Sequence, residues 1–113
     1  MRAGILAVGS ELLGSDRVDT NSLVLTRTLQ KFGVEVRRKA VVPDIESVFV
    51  AELERFLVDL DLILITGGLG PTTDDLTRVA TARALGLPLV RDEDLLQGLH
   101  ERCQKWGCVM PAS

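Results

Sequence analysis

Tyrosine is absent from the 113-residue chain, and aromatic residues make up only 4% of it. Proteins that bind single-stranded nucleic acid stack its bases on aromatic side chains, so this composition argues against that class of function. Basic residues are not in excess either, because the formal net charge is −3. We therefore expect neither nucleic acid nor a membrane surface as a partner.

Cysteine and histidine are nearly as scarce, with two cysteines and one histidine in the chain. Cys103 and Cys108 have no second pair of ligands near them, so we expect two reduced thiols rather than a disulfide or a metal site. His100 lies in a predicted helix without a catalytic partner close to it in sequence. Ser10 therefore lacks the histidine base that a serine nucleophile requires.

Long apolar runs are missing as well. The N-terminal run Ile5-Leu6-Ala7-Val8 is too short for a signal peptide or a membrane span, which predicts a cytoplasmic protein. A chain of 113 residues with 46% hydrophobic residues suits a single domain, residues 1–113.

The sequence does contain a regular alternation of apolar runs and amphipathic segments. Strands are predicted at residues 3–8, 34–42 and 62–65, and helices at 23–32, 48–57, 75–85 and 92–103. The residues predicted to face the core from the first two helices are Leu23, Leu25, Leu29, Phe32, Val48, Phe49, Ala51, Leu53, Phe56 and Leu57. This order predicts an α/β fold with a parallel sheet and right-handed crossovers. Three strands are few for such a sheet, so we expect this chain to be part of a longer fold.

The stretch 62–77, LILITGGLGPTTDDLT, is the most informative. A buried strand, a glycine loop and a helix start follow one another, and such an arrangement presents backbone N–H groups to an anion. A plain turn is the alternative, since glycine marks tight turns. The glycines, threonines and paired aspartates exceed what a turn requires, so we favour a functional loop. The loop matches neither the Walker A nor the dinucleotide-binding pattern.

Polar groups follow each predicted strand. Gly9-Ser10-Glu11 follows the first, Asp44 the second, and the glycine loop the third. Because the carboxyl ends of parallel strands lie at one edge of a sheet, these groups are expected to form one cleft. Carboxylates beside backbone donors suit a phosphate-bearing ligand accompanied by Mg²⁺ or a similar divalent cation. Structural alternatives stay open, because Asp44 could cap the next helix, and Asp74 and Asp75 could serve as first-turn residues.

Four motifs together resemble the molybdopterin-binding domain shared by molybdenum-cofactor biosynthesis proteins and the CinA family, and they are closest to the N-terminal domain of CinA. The motifs are GSELLG at 9–14, VDTNS at 18–22, VPD at 42–44 and TGGLGPTTDDLT at 66–77. The resemblance implies a three-layer α/β/α sandwich of the MogA/MoaB type. It also implies that part of this fold lies beyond the present C-terminus, and that the deamidase domain of CinA is absent. Homo-oligomers are expected by the same analogy.

The resemblance further implies a set of functional residues. Asp44 and Asp75 match aspartates that are functionally important in the family, and Asp44, Asp74 and Asp75 are the predicted metal ligands. The residues predicted to contact substrate or phosphate are Gly9, Ser10, Glu11, Asp19, Asn21, Gly67, Gly68, Gly70, Pro71, Thr72 and Thr77. The implied cofactors are a divalent metal such as Mg²⁺ and K⁺.

Three functions remain open at this point. The first is metal-dependent hydrolysis of a nucleoside-diphosphate sugar such as ADP-ribose, as associated with CinA-type members. The second is molybdopterin binding or adenylyl transfer, as in cofactor biosynthesis, where the ligand is a pterin phosphate. The third is a nucleotide-binding module without catalysis. The form of the glycine loop, with Leu69 and Thr72-Thr73-Asp74-Asp75, favours the first.

Overall fold

The computed structural model describes residues 1–14, 19–70 and 75–107. Within them the chain alternates strands and helices as the sequence predicts. The elements are β1 (Arg2–Val8), a short 3-10 helix (Ser10–Leu13), α1 (Thr20–Lys31), β2 (Glu35–Val42), α2 (Glu46–Asp59), β3 (Leu62–Thr66), α3 (Thr77–Leu85) and α4 (Glu93–Trp106).

The described strands form one sheet in the order β2-β1-β3, and both pairings are parallel. Alternate side chains of a strand point to opposite faces of the sheet. On one face of β1, Leu6 and Val8 join a core cluster with Phe49 and Phe56 of α2. Ile5 is fully buried on the other face, and α1 packs against β1 and β2. The architecture is the predicted three-layer α/β/α sandwich.

The central position of β1 explains its sequence. Ala3, Ile5, Leu6 and Ala7 are each 0% exposed. A strand with neighbours on both sides and helices on both faces has no position at which a polar side chain could reach water. Gly4 has a role here as well, because a Cβ at that residue would lie 2.5 Å from a methyl carbon of Leu60.

The sequence predicts the wrong inner face for parts of α1 and α2. Phe32 and Leu23 are predicted core residues, yet their exposed fractions are 79% and 45%. The inner side of α1 carries the buried Ser22 and Thr26 beside the half-buried Leu25 and Leu29. On α2 the buried residues are Phe49, Leu53 and Phe56, whose spacing of four and three follows one helical stripe, whereas Val48, Ala51 and Leu57 are exposed.

Two further expectations differ from the structure. The run 62–65 is predicted to be covered on both faces, but every residue of β3 is only half-buried, because β1 is its one partner in the described sheet. Cys103 is predicted as a reduced thiol, and this is wrong, because it is disulfide-bonded and 5% exposed in the last turn of α4.

No helix within the described ranges combines the length and the apolar character that a membrane crossing requires.

Candidate functional site

The carboxyl ends of β1 and β2 are joined by a reciprocal contact between Ser10 and Asp44. The Ser10 backbone N–H donates to Asp44 Oδ2 at 3.2 Å, and the Asp44 N–H donates to Ser10 Oγ at 3.1 Å. The sequence suggested that Asp44 could cap the following helix, but the N-cap of α2 is Ile45 and no side chain caps it. Asp44 therefore holds the end of β2 to the end of β1.

The glycine loop that follows β3 passes directly over the end of β1. Gly67 has φ +90°, and a Cβ there would lie 2.1 Å from the carbonyl oxygen of Val8. The φ value alone favours glycine, and the contact with backbone leaves no room for any side chain. Gly67 is therefore required by the packing of the loop itself, whatever the loop binds.

Thr77, the first residue of α3, ties this loop to the helix. Its Oγ1 donates to the carbonyl oxygen of Gly67 at 2.7 Å, and its backbone N–H donates to that of Gly68 at 3.2 Å. Thr77 is only 4% exposed. Its position makes it an anchor beneath the loop, and contact with a phosphate remains a prediction for this residue.

Asp75 lies against the loop rather than in a helix. A Cβ at Gly70 would lie 2.7 Å from Asp75 Oδ2, so the carboxylate occupies the space that a side chain at residue 70 would need. The helix α3 begins at Thr77 with Leu76 as its N-cap, and Asp75 precedes both. Asp75 is thus placed at the carboxyl edge of the sheet without serving as a first-turn residue of α3.

On the α1 side of the same edge the structure contains a hollow of about 250 Å³. We call it the α1 hollow. Its lining residues are Val8 and Leu12 together with the polar residues Glu11, Asp19, Asn21 and Thr66. Across it, Asn21 Nδ2 donates to Thr66 Oγ1 at 3.5 Å, which is at the long end of the hydrogen-bond range.

Asp19 has a structural role in this wall. It is the N-cap of α1, and its Oδ1 accepts from the backbone N–H of Ser22 at 3.1 Å. Its Oδ2 also accepts from the Ser22 hydroxyl. The helix α1 therefore begins at Thr20, three residues before the predicted start at residue 23.

The predicted site residues therefore lie in three neighbourhoods along one sheet edge. Ser10 meets Asp44, and Gly70 meets Asp75. Glu11, Asp19 and Asn21 meet at the α1 hollow, where Gly67 also lies. Gly9 packs against the Glu11 carboxylate and Gly68 against the Thr77 hydroxyl. Pro71, Thr72 and Asp74 fall outside the described residues.

Thr66 was missed as a site residue by sequence reasoning. It lies in the α1 hollow, at the last position of β3 and directly before Gly67. A polar residue at the end of an otherwise apolar strand was the available signal, because the side chain there leaves the core and reaches the carboxyl edge.

The described acidic side chains can be compared with the ligands that the implied divalent cation requires. Among the described residues no three acidic, histidine or cysteine side chains are grouped closely enough to enclose a metal ion. Mg²⁺ is usually held by one or two carboxylates together with substrate phosphates and water, rather than by a full protein cage. Asp44 and Asp75 at the carboxyl edge fit that incomplete form of ligation.

Taken together, these features define a class of protein. A parallel sheet sandwiched between helices, with a glycine loop and carboxylates at the carboxyl ends of its strands, is a small-molecule-binding α/β domain.

The sequence identifies the family within this class. Residues 4–113 match the family described as "Probable molybdopterin binding domain", and the chain belongs to that family. It is 46% identical to a CinA-like protein from Koribacter versatilis over 98% of this chain, and 41% identical to one from Fervidobacterium nodosum over 99%. The chain spans only 27% and 28% of those relatives.

Solved structures agree with this assignment. A CinA protein of unknown function from Thermoplasma acidophilum superposes with a TM-score of 0.83 at 33% identity, covering 98% of this chain and 64% of that one. The molybdopterin biosynthesis enzyme MoaB from Thermus thermophilus superposes with a TM-score of 0.65 at 34% identity, covering 73% of this chain and 53% of that one. The predicted CinA-like, molybdopterin-binding fold is confirmed.

Proposed function

We propose that this CinA-like domain is a metal-dependent pyrophosphatase that hydrolyses a nucleoside-diphosphate sugar of the ADP-ribose type. The observation that carries the proposal is the placement of Asp75 against Gly70, at the sheet edge where Ser10 holds Asp44. One carboxylate thus lies against a glycine loop that suits phosphate, and a second follows β2 at the same edge of the sheet. The form of the glycine loop, with Leu69 and Thr72-Thr73-Asp74-Asp75, is the reason for preferring this activity to pterin chemistry, and the structural similarity to CinA agrees with that form.

Each neighbourhood has a role in this proposal. The backbone of Gly67, Gly68 and Gly70, with Pro71 and Thr72, would receive the pyrophosphate, and Thr77 would hold the loop in place. Ser10 would keep Asp44 at the edge through their reciprocal hydrogen bonds. Such pre-positioning matters because binding groups that are already placed lose little freedom when the ligand arrives.

The carboxylates would supply the hydrolytic chemistry. Asp44, Asp74 and Asp75 would hold a divalent cation such as Mg²⁺ or orient the attacking water, and K⁺ is a second proposed cofactor. When bound, a divalent cation offsets the negative charge of the phosphates and lowers the pKa of a bound water. Without such compensation, carboxylates at this edge would repel a pyrophosphate.

The decisive experiment measures AMP release from ADP-ribose with and without Mg²⁺. We expect Asp75→Asn to reduce turnover by at least about a hundredfold, which corresponds to a loss of about 3 kcal/mol in transition-state stabilisation. Asp94→Asn, the same change in the exposed first turn of α4, is the matched control and should retain full activity. Unchanged Mg²⁺-dependent turnover in Asp75→Asn would remove this residue from the mechanism.

Molybdopterin binding or adenylyl transfer is the second candidate. It is favoured by the family's description and by the superposition on MoaB. Titration with molybdopterin in place of ADP-ribose separates the two. Binding of molybdopterin without any AMP release from ADP-ribose would favour the second candidate.

A further inference from the structure

The described lining of the α1 hollow is acidic. Two of its lining residues, Glu11 and Asp19, are acidic, and none of its described lining residues is a lysine or arginine. Two carboxylates at contact distance repel phosphate oxygens, and the repulsion is strong where water is partly excluded. The glycine loop differs in lying before a helix start, where backbone N–H groups can meet an anion, whereas the α1 hollow presents side-chain acceptors, although the two share Gly67.

The α1 hollow is also too small for a complete nucleotide. Its volume is about 250 Å³, whereas pockets that bury a whole drug-sized ligand hold roughly 300–1,000 Å³. It can therefore enclose one part of a ligand while the remainder lies along the sheet edge. The shared Gly67 places the hollow directly beside the proposed pyrophosphate position.

The polar groups of the hollow indicate what that part is. Carboxylates can only accept hydrogen bonds, so Glu11 and Asp19 favour a group that donates them. The amide of Asn21 and the hydroxyl of Thr66 can each donate and accept. Their mutual contact of 3.5 Å is weak, so a ligand group could replace it with little loss. Leu12 supplies an apolar contact for a ring.

We infer that the α1 hollow binds the uncharged, donor-rich half of the ligand, with Glu11 as acceptor and with Asn21 and Thr66 as the pair that opens around it. The shared chemistry is two adjacent hydrogen-bond donors on a ring. Either the vicinal diol of a ribose or the amino-pyrimidinone edge of a pterin provides it. This inference rests on the proposed function for the position of the phosphates, and it assigns Glu11 and Asn21, which were predicted to contact substrate or phosphate, to recognition of the ring.

Amide NMR of the ¹⁵N-labelled chain tests the assignment, because the residues of each neighbourhood give separate resonances. The probes are Mg²⁺-pyrophosphate, adenosine, 2′,3′-dideoxyadenosine and pterin. Pyrophosphate should shift the amide signals of Gly67, Gly68 and Gly70. A phosphate-free ring should shift the side-chain amide of Asn21 and the backbone amide of Thr66.

The probes also distinguish the two sources of the donors. If adenosine shifts the signals of Asn21 and Thr66 and dideoxyadenosine does not, the donors are the hydroxyls of the ribose diol. Shifts with pterin and none with either nucleoside identify the amino-pyrimidinone edge.

Variants of the hollow provide a second test, because removing the charge of Glu11 should not weaken pyrophosphate binding as it weakens ring binding. Glu11→Gln keeps the shape of the side chain and replaces a charged acceptor by a neutral one, so affinity for the phosphate-free ring should fall about five- to tenfold. Affinity for Mg²⁺-pyrophosphate should remain unchanged or rise. Thr66→Val should also weaken ring binding alone. Glu54→Gln, which removes the same charge from the exposed face of α2, should change neither affinity.

Two results would overturn the inference. One is the absence of any shift at Asn21 and Thr66 with adenosine and with pterin. The other is a shift of the Asn21 side-chain amide signal on addition of pyrophosphate, which would place phosphate in the hollow. Adenosine or pterin could shift the signals of Asn21 and Thr66 while pyrophosphate leaves the amide signals of the glycine loop unchanged. In that case the proposed pyrophosphatase function fails and the assignment of the hollow stands.

Discussion

Two corners of the same sheet edge are built by different means. At the β2 corner, Ser10 and Asp44 exchange two hydrogen bonds between side chain and backbone. At the β3 corner, Gly67 lies so close to Val8 that a Cβ would come within 2.1 Å of a carbonyl oxygen. The β2 corner is held by directional hydrogen bonds. At the β3 corner the backbone of the loop packs so closely on β1 that no side chain fits between them.

This difference determines what each corner tolerates. A hydrogen bond contributes about 0.5–1.5 kcal/mol in net terms, so the loss of one is a modest change. A clash with backbone cannot be relieved by turning a side chain, and the whole loop must move. The β3 corner should therefore be the more sensitive of the two to a single added methyl group.

The largest expected effect is that of Gly67→Ala. The residue would be forced to keep φ +90° and to displace the Val8 carbonyl. We expect the free energy of unfolding, measured by urea denaturation, to fall by about 3 kcal/mol or more. Gly33→Ala is the matched control, since Gly33 has φ +73° but nothing within 4 Å of its added Cβ. Equal losses in the two variants would show that backbone strain, and not the clash, holds the β3 corner.

Thr77→Val should have the next largest effect. Valine keeps the branched shape but removes the hydroxyl that donates to the Gly67 carbonyl at 2.7 Å. Because Thr77 is buried, the unpaired carbonyl should cost about 1–3 kcal/mol of unfolding free energy. Thr28→Val removes a similar hydroxyl-to-carbonyl bond of 2.9 Å at an exposed position of α1. That control should change stability by less than about 0.5 kcal/mol, and a comparable loss in both variants would contradict the role of Thr77.

Ser10→Ala should have a smaller effect, confined to the β2 corner. It leaves the backbone N–H of Asp44 without its Ser10 Oγ acceptor, and we expect a loss of about 0.5–1.5 kcal/mol of unfolding free energy. Ser10→Thr retains the hydroxyl and should restore most of that stability. If both variants unfold like the unmodified chain, the reciprocal contact does not hold this corner.

The smallest effect is expected at the opposite, amino edge of the sheet. Asp61 Oδ2 accepts from the backbone N–H of Arg2 at 2.8 Å and from its side chain at 3.3 Å. These contacts, the backbone hydrogen bond first, hold the pKa of the Asp61 carboxyl below its ordinary value. The same pair raises the pKa of Arg2.

The sign of the pH dependence follows from the lowered pKa. The contribution of Asp61 to stability is present above the ordinary carboxyl pKa and is lost as the pH falls through the lower, folded-state value. Unfolding free energies measured across the acid range should therefore decline less steeply in Asp61→Asn than in the unmodified chain. Identical acid profiles would show that this exposed pair contributes nothing measurable.

The order and type of the elements were predictable from local patterns. The apolar runs at 3–8 and 62–65 became β1 and β3, and Asp92 caps α4 by accepting from Leu95 N–H at 3.0 Å. Gly86 ends α3 in the left-handed conformation, as its position after Leu85 predicts. Such signals depend on residues within a few positions of each other, which sequence displays directly.

The errors occurred where a residue had two possible partners. Asp44 was a possible helix cap by sequence, but its carboxylate reaches back across 34 positions to Ser10. Phe32 resembles a core residue by type, yet it lies beyond the last turn of α1 and is exposed. Periodicity alone does not reveal which neighbours a side chain will meet, because tertiary packing decides that.

Sequence alone determined that strands would alternate with helices, that residues 3–8 would form an apolar strand, and that polar groups would follow each strand. It determined these because they depend on the order of residue types along the chain. Only the tertiary structure decided that Asp44 meets Ser10, that Gly67 lies against Val8, and that Thr66 faces Asn21 across a hollow. Those pairs are far apart in sequence, and the parallel pairing of three strands brings them to one edge.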